Sequence, residues 1–309
     1  MSTIAFLFPG QGSQSVGMLD ALAAESDLVA ATCAEASEVL GYDLGALIAA
    51  GPEDRLNQTE VTQPAMLTAG VATWRAWRAL GGAEPAVVAG HSLGEYTALV
   101  AAGAIDFADA VGAVAERARL MQGATPAGTG AMAAILGLED AALAALCEEE
   151  AGDEVVSCAN FNSPGQVVIA GHAAAVQRVS ARALEAGARR ALPLPVSVPS
   201  HCALMQPAAE AMAQVLARVE LRPPRIPVVH NADVAEHTDP EGIREVLVRQ
   251  LWQPVRWTQT IEALAARGVD RFVECGPGRV LAGLNRRIDK GLAVTALTDR
   301  AAMETLLGD

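Results

Sequence analysis

The segment Gly-His-Ser-Leu-Gly at residues 90–94 places a serine between two glycines, which is the spacing of a nucleophile elbow. An apolar run over 85–89 predicts a buried strand before it, and an Ala-rich stretch to about 102 predicts a helix after it. Two glycines permit the sharp turn that exposes the hydroxyl, and the helix aims main-chain N–H groups at developing negative charge. This context favours Ser92 as a nucleophile over the alternative that it only caps a helix.

A serine hydroxyl needs a base to take its proton, and His201 is the best candidate among the five histidines. It follows Val198-Pro-Ser and precedes a helix predicted over 203–219, whose dipole is expected to lower the imidazole pKa and keep the ring neutral. His91 adjoins the nucleophile but should point elsewhere from an elbow. The alternative for His201 is a buried or capping histidine.

The group that orients the imidazole is not evident from spacing. An acidic residue, a main-chain carbonyl or a side-chain amide would each fix the tautomer. The side chains that the sequence leaves open for this task are Asp233, Asp239, Glu274 and Gln250.

The loop after the first predicted strand, Phe8-Pro-Gly-Gln-Gly-Ser-Gln14, contains Gly10-x-Gly12 but lacks the third glycine of a dinucleotide site, and no Gly-Lys-Ser/Thr follows. A tight loop at the carboxyl end of a central strand can instead present a main-chain N–H to an oxyanion. We therefore predict that the N–H groups of Gln11 and Leu93 form the oxyanion hole.

Arg117 lies in a helix predicted from Phe107 to Gln122, at the border of its apolar face. At roughly 100° per residue, Met121 and four other apolar residues fall within about 60° of Val114, the centre of that face. A guanidinium directed toward an apolar interior needs an anion to compensate its desolvation. We interpret Arg117 as a clamp for a substrate carboxylate; the alternative is a structural pair with a buried acid.

Short apolar runs alternate with Ala/Leu-rich stretches of helical length, among them a helix predicted over 64–80. This alternation predicts a parallel sheet covered by helices. The order within 131–194 is instead β-α-β-β-α-β, the pattern of a ferredoxin-like unit. The predicted fold is therefore α/β, with a large parallel-sheet domain formed by 1–126 and 199–309 and an inserted small subdomain at 127–198.

Composition narrows the classes of function. The chain has 309 residues, 51% of them hydrophobic, and a formal net charge of −14, which opposes binding to nucleic acid or an anionic membrane. The five cysteines show no metal-ligand spacing, and we predict no metal site. The N-terminus does not read as a signal peptide, and no apolar run approaches 18 residues. These features predict a cytoplasmic protein.

Taken together, six segments resemble those of bacterial malonyl-CoA:acyl carrier protein transacylases. The resemblance spans nearly the whole chain and implies an α/β-hydrolase-like large domain with an inserted ferredoxin-like subdomain. It also implies Ser92 as nucleophile, His201 as base, Arg117 as malonyl clamp, and Gln250 at the position that matches the family's histidine-orienting carbonyl. The segments are Gly10-Gln-Gly-Ser-Gln14, Gly90-His-Ser-Leu-Gly-Glu95, Arg117 in its helix, Asn160-Phe-Asn-Ser-Pro-Gly165, Val198-Pro-Ser-His201 and Glu274-Cys-Gly-Pro-Gly278.

The reaction that this resemblance implies moves a malonyl group from malonyl-CoA to holo acyl carrier protein through a malonyl-serine ester, without a bound cofactor. The substrate is expected to contact Arg117, Met121, Asn160 and Gln250. Because acyl carrier proteins are acidic, Arg190, Arg286 and Arg287 are predicted as docking residues on a monomeric enzyme.

Two other functions remain open on the sequence. A serine hydrolase would use the same elbow and base with water as the acceptor. A catalytically silent subunit that only binds carrier protein is disfavoured because both Ser92 and His201 are present. Tolerance of other acyl groups, as in polyketide synthesis, is not readable from the sequence.

Overall fold

A computed structural model describes residues 3–126, 128–196 and 198–308. Its strands form two separate sheets, one parallel and one antiparallel. In chain order the strands are β1 (Ile4–Phe8), β2 (Val87–Gly90), β3 (Gly130–Leu136), β4 (Val156–Ser163), β5 (Gln166–His172), β6 (Arg190–Pro193), β7 (Val228–Val229), β8 (Arg271–Glu274) and β9 (Ala293–Ala296).

The helices account for most of the remaining chain, and a 3₁₀ turn at Ala203–Met205 precedes the tenth of them. In chain order they are α1 (Asp20–Ala23), α2 (Asp27–Leu40), α3 (Leu44–Ala50), α4 (Glu53–Leu56), α5 (Thr59–Ala79), α6 (Gly94–Ala101), α7 (Phe107–Gly123), α8 (Asp140–Ala151), α9 (Ala173–Glu185), α10 (Gln206–Leu216), α11 (Pro240–Gln250), α12 (Trp257–Ala266), α13 (Val280–Ile288) and α14 (Arg300–Gly308).

The larger sheet has five parallel strands in the order β7-β2-β1-β8-β9. Alternate residues of β1 enter different cores: Phe6 and Phe8 pack on one face, Ala5 and Leu7 on the other. Both faces are therefore covered by helices, as expected for a parallel sheet. The carboxyl ends of β1 and β2 lie side by side, since Phe8 pairs with Gly90, and the loops that follow them are neighbours.

The smaller sheet has four antiparallel strands in the order β4-β5-β3-β6. With α8 and α9 it forms a β-α-β-β-α-β unit, so the predicted ferredoxin-like subdomain and the α/β class are confirmed. The sheet packs its own small core. The predicted domain boundaries stay a prediction, and residue 127, where one of them falls, lies outside the described residues.

Several predicted element bounds are wrong. The helix expected from 64 begins at Thr59, because most of α5 is buried and this packing outweighs the cost of Pro64 inside the helix. The helix expected over 203–219 is a 3₁₀ turn followed by the shorter α10. The short α3 and α4 and the C-terminal β9 and α14 were not predicted.

In the part of the chain that the structure describes, no helix is both long enough and apolar enough to cross a membrane. All five cysteines are free and buried.

Candidate active site

The elbow at Ser92 depends on close main-chain packing. Ser92 has a φ of 52°, in the left-handed region, between β2 and α6. A Cβ on Gly90 would lie 1.9 Å from the carbonyl carbon of Gly94, and one on Gly94 would lie 2.0 Å from the carbonyl oxygen of Phe8. Only glycine fits at either position, and the elbow packs directly against the main chain at the end of β1.

Ser92 and His201 are in direct contact at the mouth of this elbow. The Oγ of Ser92 lies 2.7 Å from Nε2 of His201, and Nδ1 of His201 lies 2.7 Å from the main-chain oxygen of Gln250. Because a carbonyl oxygen only accepts, Nδ1 carries the proton and Nε2 is left to accept the serine proton. The pair has the tautomer and direction that a general base requires.

The imidazole of His201 is kept neutral by its surroundings. Burial and, next, the nearby Arg117 cation lower its pKa to about 3. We expected His201 to stand at the start of a helix, but a 3₁₀ turn at Ala203–Met205 separates it from α10. His201 itself has a φ of 62°, and its N–H donates to the carbonyl of Leu251.

Among the described residues, no carboxylate contacts the His201 ring. Asp233 contacts His237 and Arg249, whereas Asp239 and Glu274 cap the first turns of α11 and α13. Of the alternatives that the sequence left open, the contact observed is the main-chain carbonyl of Gln250.

Arg117 points from α7 into the same site and is 1% exposed. Its Nη1 donates to Oε1 of Gln63 at 2.6 Å, and its Nη2 donates to Oε1 of Gln250 at 2.9 Å. The Nη2 atom also lies 3.3 Å from Oγ of Ser92. Within the described part of the chain, the guanidinium thus hydrogen-bonds to neutral groups only, beside the nucleophile, and burial lowers its pKa.

The predicted oxyanion donors lie in the neighbouring segments that follow β1 and β2. Gln11 and Leu93 both line the pocket that contains Ser92, and a Cβ on Gly10 would meet the carbonyl oxygen of His91 at 2.5 Å. Among the described residues, no protein acceptor contacts the N–H of Gln11 or of Leu93. The N–H of Ser92 is not free for this purpose, because it donates to Oδ1 of Asn231 at 2.6 Å.

These groups surround a pocket of about 130 Å³ that draws on both sheets. Of the predicted substrate residues, Arg117, Met121 and Asn160 line it, whereas Gln250 lies behind Arg117 and is fully buried. The residues that line the pocket are Gln11, Thr59, Gln63, His91, Ser92, Leu93, Arg117, Met121, Met132, Asn160, Leu194, Val196, Val198, Ser200 and His201.

Sequence reasoning missed three residues that hold the site together. Gln63 positions Arg117 from α5, and Asn231 joins the elbow from the loop after β7, where its Nδ2 donates to the carbonyl of Gly90 at 2.7 Å. Glu95 is fully buried beneath the elbow. Glu95 is the last residue of the elbow segment 90–95, and this position close to Ser92 is the one signal that could have identified it. No local signal marks Gln63 or Asn231.

The predicted docking arginines are exposed and do not all share one surface. Arg190 and Arg287 line a groove of about 560 Å³, together with Arg189 and the β4–β5 turn at 163–165. Arg287 donates to Oε1 of Gln166 in this groove. Arg286 lies outside it and donates to the carbonyl of Val294 at 3.2 Å.

Comparisons with known proteins identify the family of the chain. The acyl transferase domain family matches residues 5–304. The malonyl CoA-acyl carrier protein transacylase of Escherichia coli K12 is 58% identical over 307 residues, or 99% of each chain.

Two solved structures extend the likeness to the fold. An acyl carrier protein S-malonyltransferase from Vibrio cholerae is 58% identical, with a TM-score of 0.97 over 99% of this chain and 100% of that one. A malonyl-transacylase in complex with a type II PKS acyl-carrier protein is 54% identical, with a TM-score of 0.98 over 99% of each chain. The chain belongs to the acyl transferase domain family and, within it, to the malonyl CoA-acyl carrier protein transacylases.

Proposed function

We propose that this protein transfers malonyl groups from malonyl-CoA to the phosphopantetheine thiol of acyl carrier protein. The observation that carries the proposal is the buried Arg117 guanidinium, 3.3 Å from the Oγ of a serine that is paired with a neutral imidazole. One methylene separates the two carbonyl carbons of a malonyl group. A carboxylate so close to the acyl carbon can reach this cation while the serine attacks.

In the first half-reaction, Oγ of Ser92 attacks the thioester carbonyl as Nε2 of His201 takes its proton. The negative charge that develops on the carbonyl oxygen is stabilised by the N–H groups of Gln11 and Leu93. The carbon–sulfur bond then breaks, His201 returns the proton to the leaving CoA thiolate, and a malonyl-serine ester remains.

In the second half-reaction, the thiol of the carrier protein attacks the ester carbonyl with His201 as its base. The serine oxygen leaves and regains a proton from the same imidazole, so protons balance over the cycle. Arg117 holds the malonyl carboxylate throughout, exchanging its contact with the serine hydroxyl for a charge-assisted one. No step requires a bound cofactor.

We place the carrier protein at the groove lined by Arg189, Arg190 and Arg287. Cations suit an acidic partner, and this surface continues from β4, whose Asn160 lines the catalytic pocket. Arg286 contacts a main-chain carbonyl outside the groove, so we assign it a smaller part in docking.

The monomeric state and the cytoplasmic location stay predictions. Light scattering tests the first of them directly.

Intact-mass spectrometry after mixing with malonyl-CoA tests the transfer. We expect the wild type to gain one malonyl group that persists until holo acyl carrier protein is added, and Ser92→Ala to gain none. A wild type that releases free malonate without accumulating an ester or charging the carrier protein is a serine hydrolase instead.

A further inference from the structure

Arg117 carries a buried charge with no ion-pair partner in direct contact. Within the described residues, its hydrogen bonds go to Gln63, Gln250 and Ser92, its Nε has no partner, and no carboxylate lies within 4 Å of it. Burying a cation among neutral groups is costly unless an opposite charge lies close by. An anion that compensates the Arg117 cation is therefore expected close behind its neutral partners.

Glu95 is the nearest fully buried carboxylate in the hydrogen-bond network. Its Oε1 lies 2.5 Å from Nδ1 of His230, and its Oε2 accepts from the N–H of Asn231 at 3.1 Å and from Nε2 of Gln250 at 2.9 Å. Two N–H groups donate to Oε2, and Oε1 faces the imidazole nitrogen, an arrangement that suits a carboxylate, which only accepts.

Gln250 joins this carboxylate to the cation. Its Nε2 donates both to Oε2 of Glu95 and to the main-chain oxygen of Ser92, so its Oε1 is turned toward Nη2 of Arg117. With the amide reversed, an NH₂ group would face the guanidinium. The order Glu95–Gln250–Arg117 is therefore fixed, and one amide separates the two opposite charges.

We propose that Glu95, acting through Gln250, is the charge partner of Arg117 and sets how strongly the pocket holds a free carboxylate. This makes Glu95 a positioning and specificity-determining residue that does not touch the acyl group. The inference rests on the proposed malonyl transfer. Opposite charge behind the clamp stabilises the empty site and opposes the incoming anion, so Glu95 limits how tightly the pocket holds the malonyl carboxylate.

The test compares malonyl-CoA with acetyl-CoA in Glu95→Gln, because acetyl uses the same serine, base and oxyanion donors but has no carboxylate. The new amide oxygen can still accept from Gln250, while its NH₂ faces His230, whose Nδ1 accepts once the proton moves to Nε2. Removing one charge within about 10 Å of the substrate carboxylate, at an effective dielectric of about 20, should raise the malonyl-over-acetyl ratio of kcat/KM about tenfold. A ratio that is unchanged or lower overturns the proposal.

A charge swap tests the same point even where the single Glu95 variant fails to fold. Gln250→Glu puts a carboxylate directly against Arg117 and should lower the ratio at least tenfold, while the main-chain contact to His201 is retained. Adding Glu95→Gln removes the charge behind it and should restore about tenfold of that loss. If Glu95 serves only to hold the fold, the malonyl-over-acetyl ratio of the double variant is no higher than that of Gln250→Glu, and the proposal fails.

Glu274→Gln is the matched control. Glu274 is equally buried, but its oxygens accept from the N–H groups of Leu281 and Ala282 at the start of α13. We expect it to leave the ratio unchanged, and an equal rise there would overturn the role of Glu95. The outcome is separable from that of the proposed function, because a wild type that forms no malonyl-enzyme refutes the function itself.

Discussion

Arginine side chains occur in two different environments in this protein, at Arg117 in the interior and in the exposed groove lined by Arg189, Arg190 and Arg287. Arg117 is surrounded by neutral acceptors beside the nucleophile, whereas Arg189, Arg190 and Arg287 stand in solvent. In the interior, a charge is strongly coupled to one anion of matching size and position. At the surface, screening weakens each contact, so the groove selects a partner by the sum of several charges.

The largest expected effect comes from removing the interior cation. Arg117→Ala should lower the malonyl-over-acetyl ratio of kcat/KM by about two to three decades, since the malonyl carboxylate loses the buried cation that pairs with it. Transfer of acetyl should continue, because the serine, the base and the oxyanion donors remain. Competition between malonyl-CoA and acetyl-CoA measures the ratio, and an unchanged preference would contradict the clamp.

The same substitution should move the pH profile. Protonated His201 cannot accept the serine proton, and its pKa of about 3 places the acid limb of wild-type kcat/KM far below the ordinary value of 6.5. Without the Arg117 cation, one cause of that lowering is gone, so the acid limb should move to higher pH while burial keeps it below 6.5.

Acetyl-CoA is the suitable substrate for both enzymes, because its acyl group, unlike malonyl, has no carboxylate that titrates. The CoA moiety is common to both measurements, so its titration cancels in the comparison. Circular dichroism at each pH marks the interval in which the fold is intact. Coincident acid limbs in wild type and Arg117→Ala would mean that the two side chains are not electrostatically coupled.

The smallest effect should come from the exposed groove. Arg190→Glu or Arg287→Glu should raise the KM for acyl carrier protein on the order of 3–10-fold, with less effect as salt increases. Formation of the malonyl-enzyme from malonyl-CoA should be unaltered. Arg286→Glu should have less effect than either, because its side chain lies outside the groove.

Arg218→Glu controls for net charge, since Arg218 is exposed and is not part of the groove lining. If it raises the KM as much as Arg190→Glu does, the groove has no special part in docking.

The local sequence pattern was sufficient to predict a site residue where a single segment contains both the reactive side chain and the turn or helix that orients it. The spacing around Ser92 predicts the elbow, and helical periodicity predicts the inward direction of Arg117. Asn231 and Gln63 could not be found this way, because each approaches the site from a different element and nothing in its own segment marks it. The causes of the low pKa of His201 were also missed, since they are burial, which the tertiary structure sets, and Arg117, which is remote in sequence.

The same limit applies to the fold. The order of the small subdomain was predictable because its strands and helices follow one another without interruption. The start of α5 was not, because Pro64 suggests a helix start in the local pattern, whereas the burial that favours helix before it depends on the tertiary structure.

The division of the pocket wall between the two sheets has a consequence for how such enzymes diversify. The nucleophile, its base and the oxyanion donors stand on the parallel-sheet framework, whereas Met132 and Asn160 contribute wall from the other sheet. Substitutions in that second wall can reshape the space available to an acyl chain while the reacting atoms keep their mutual distances. Acceptance of new acyl groups is thus open to gradual change on a scaffold whose chemistry is held constant.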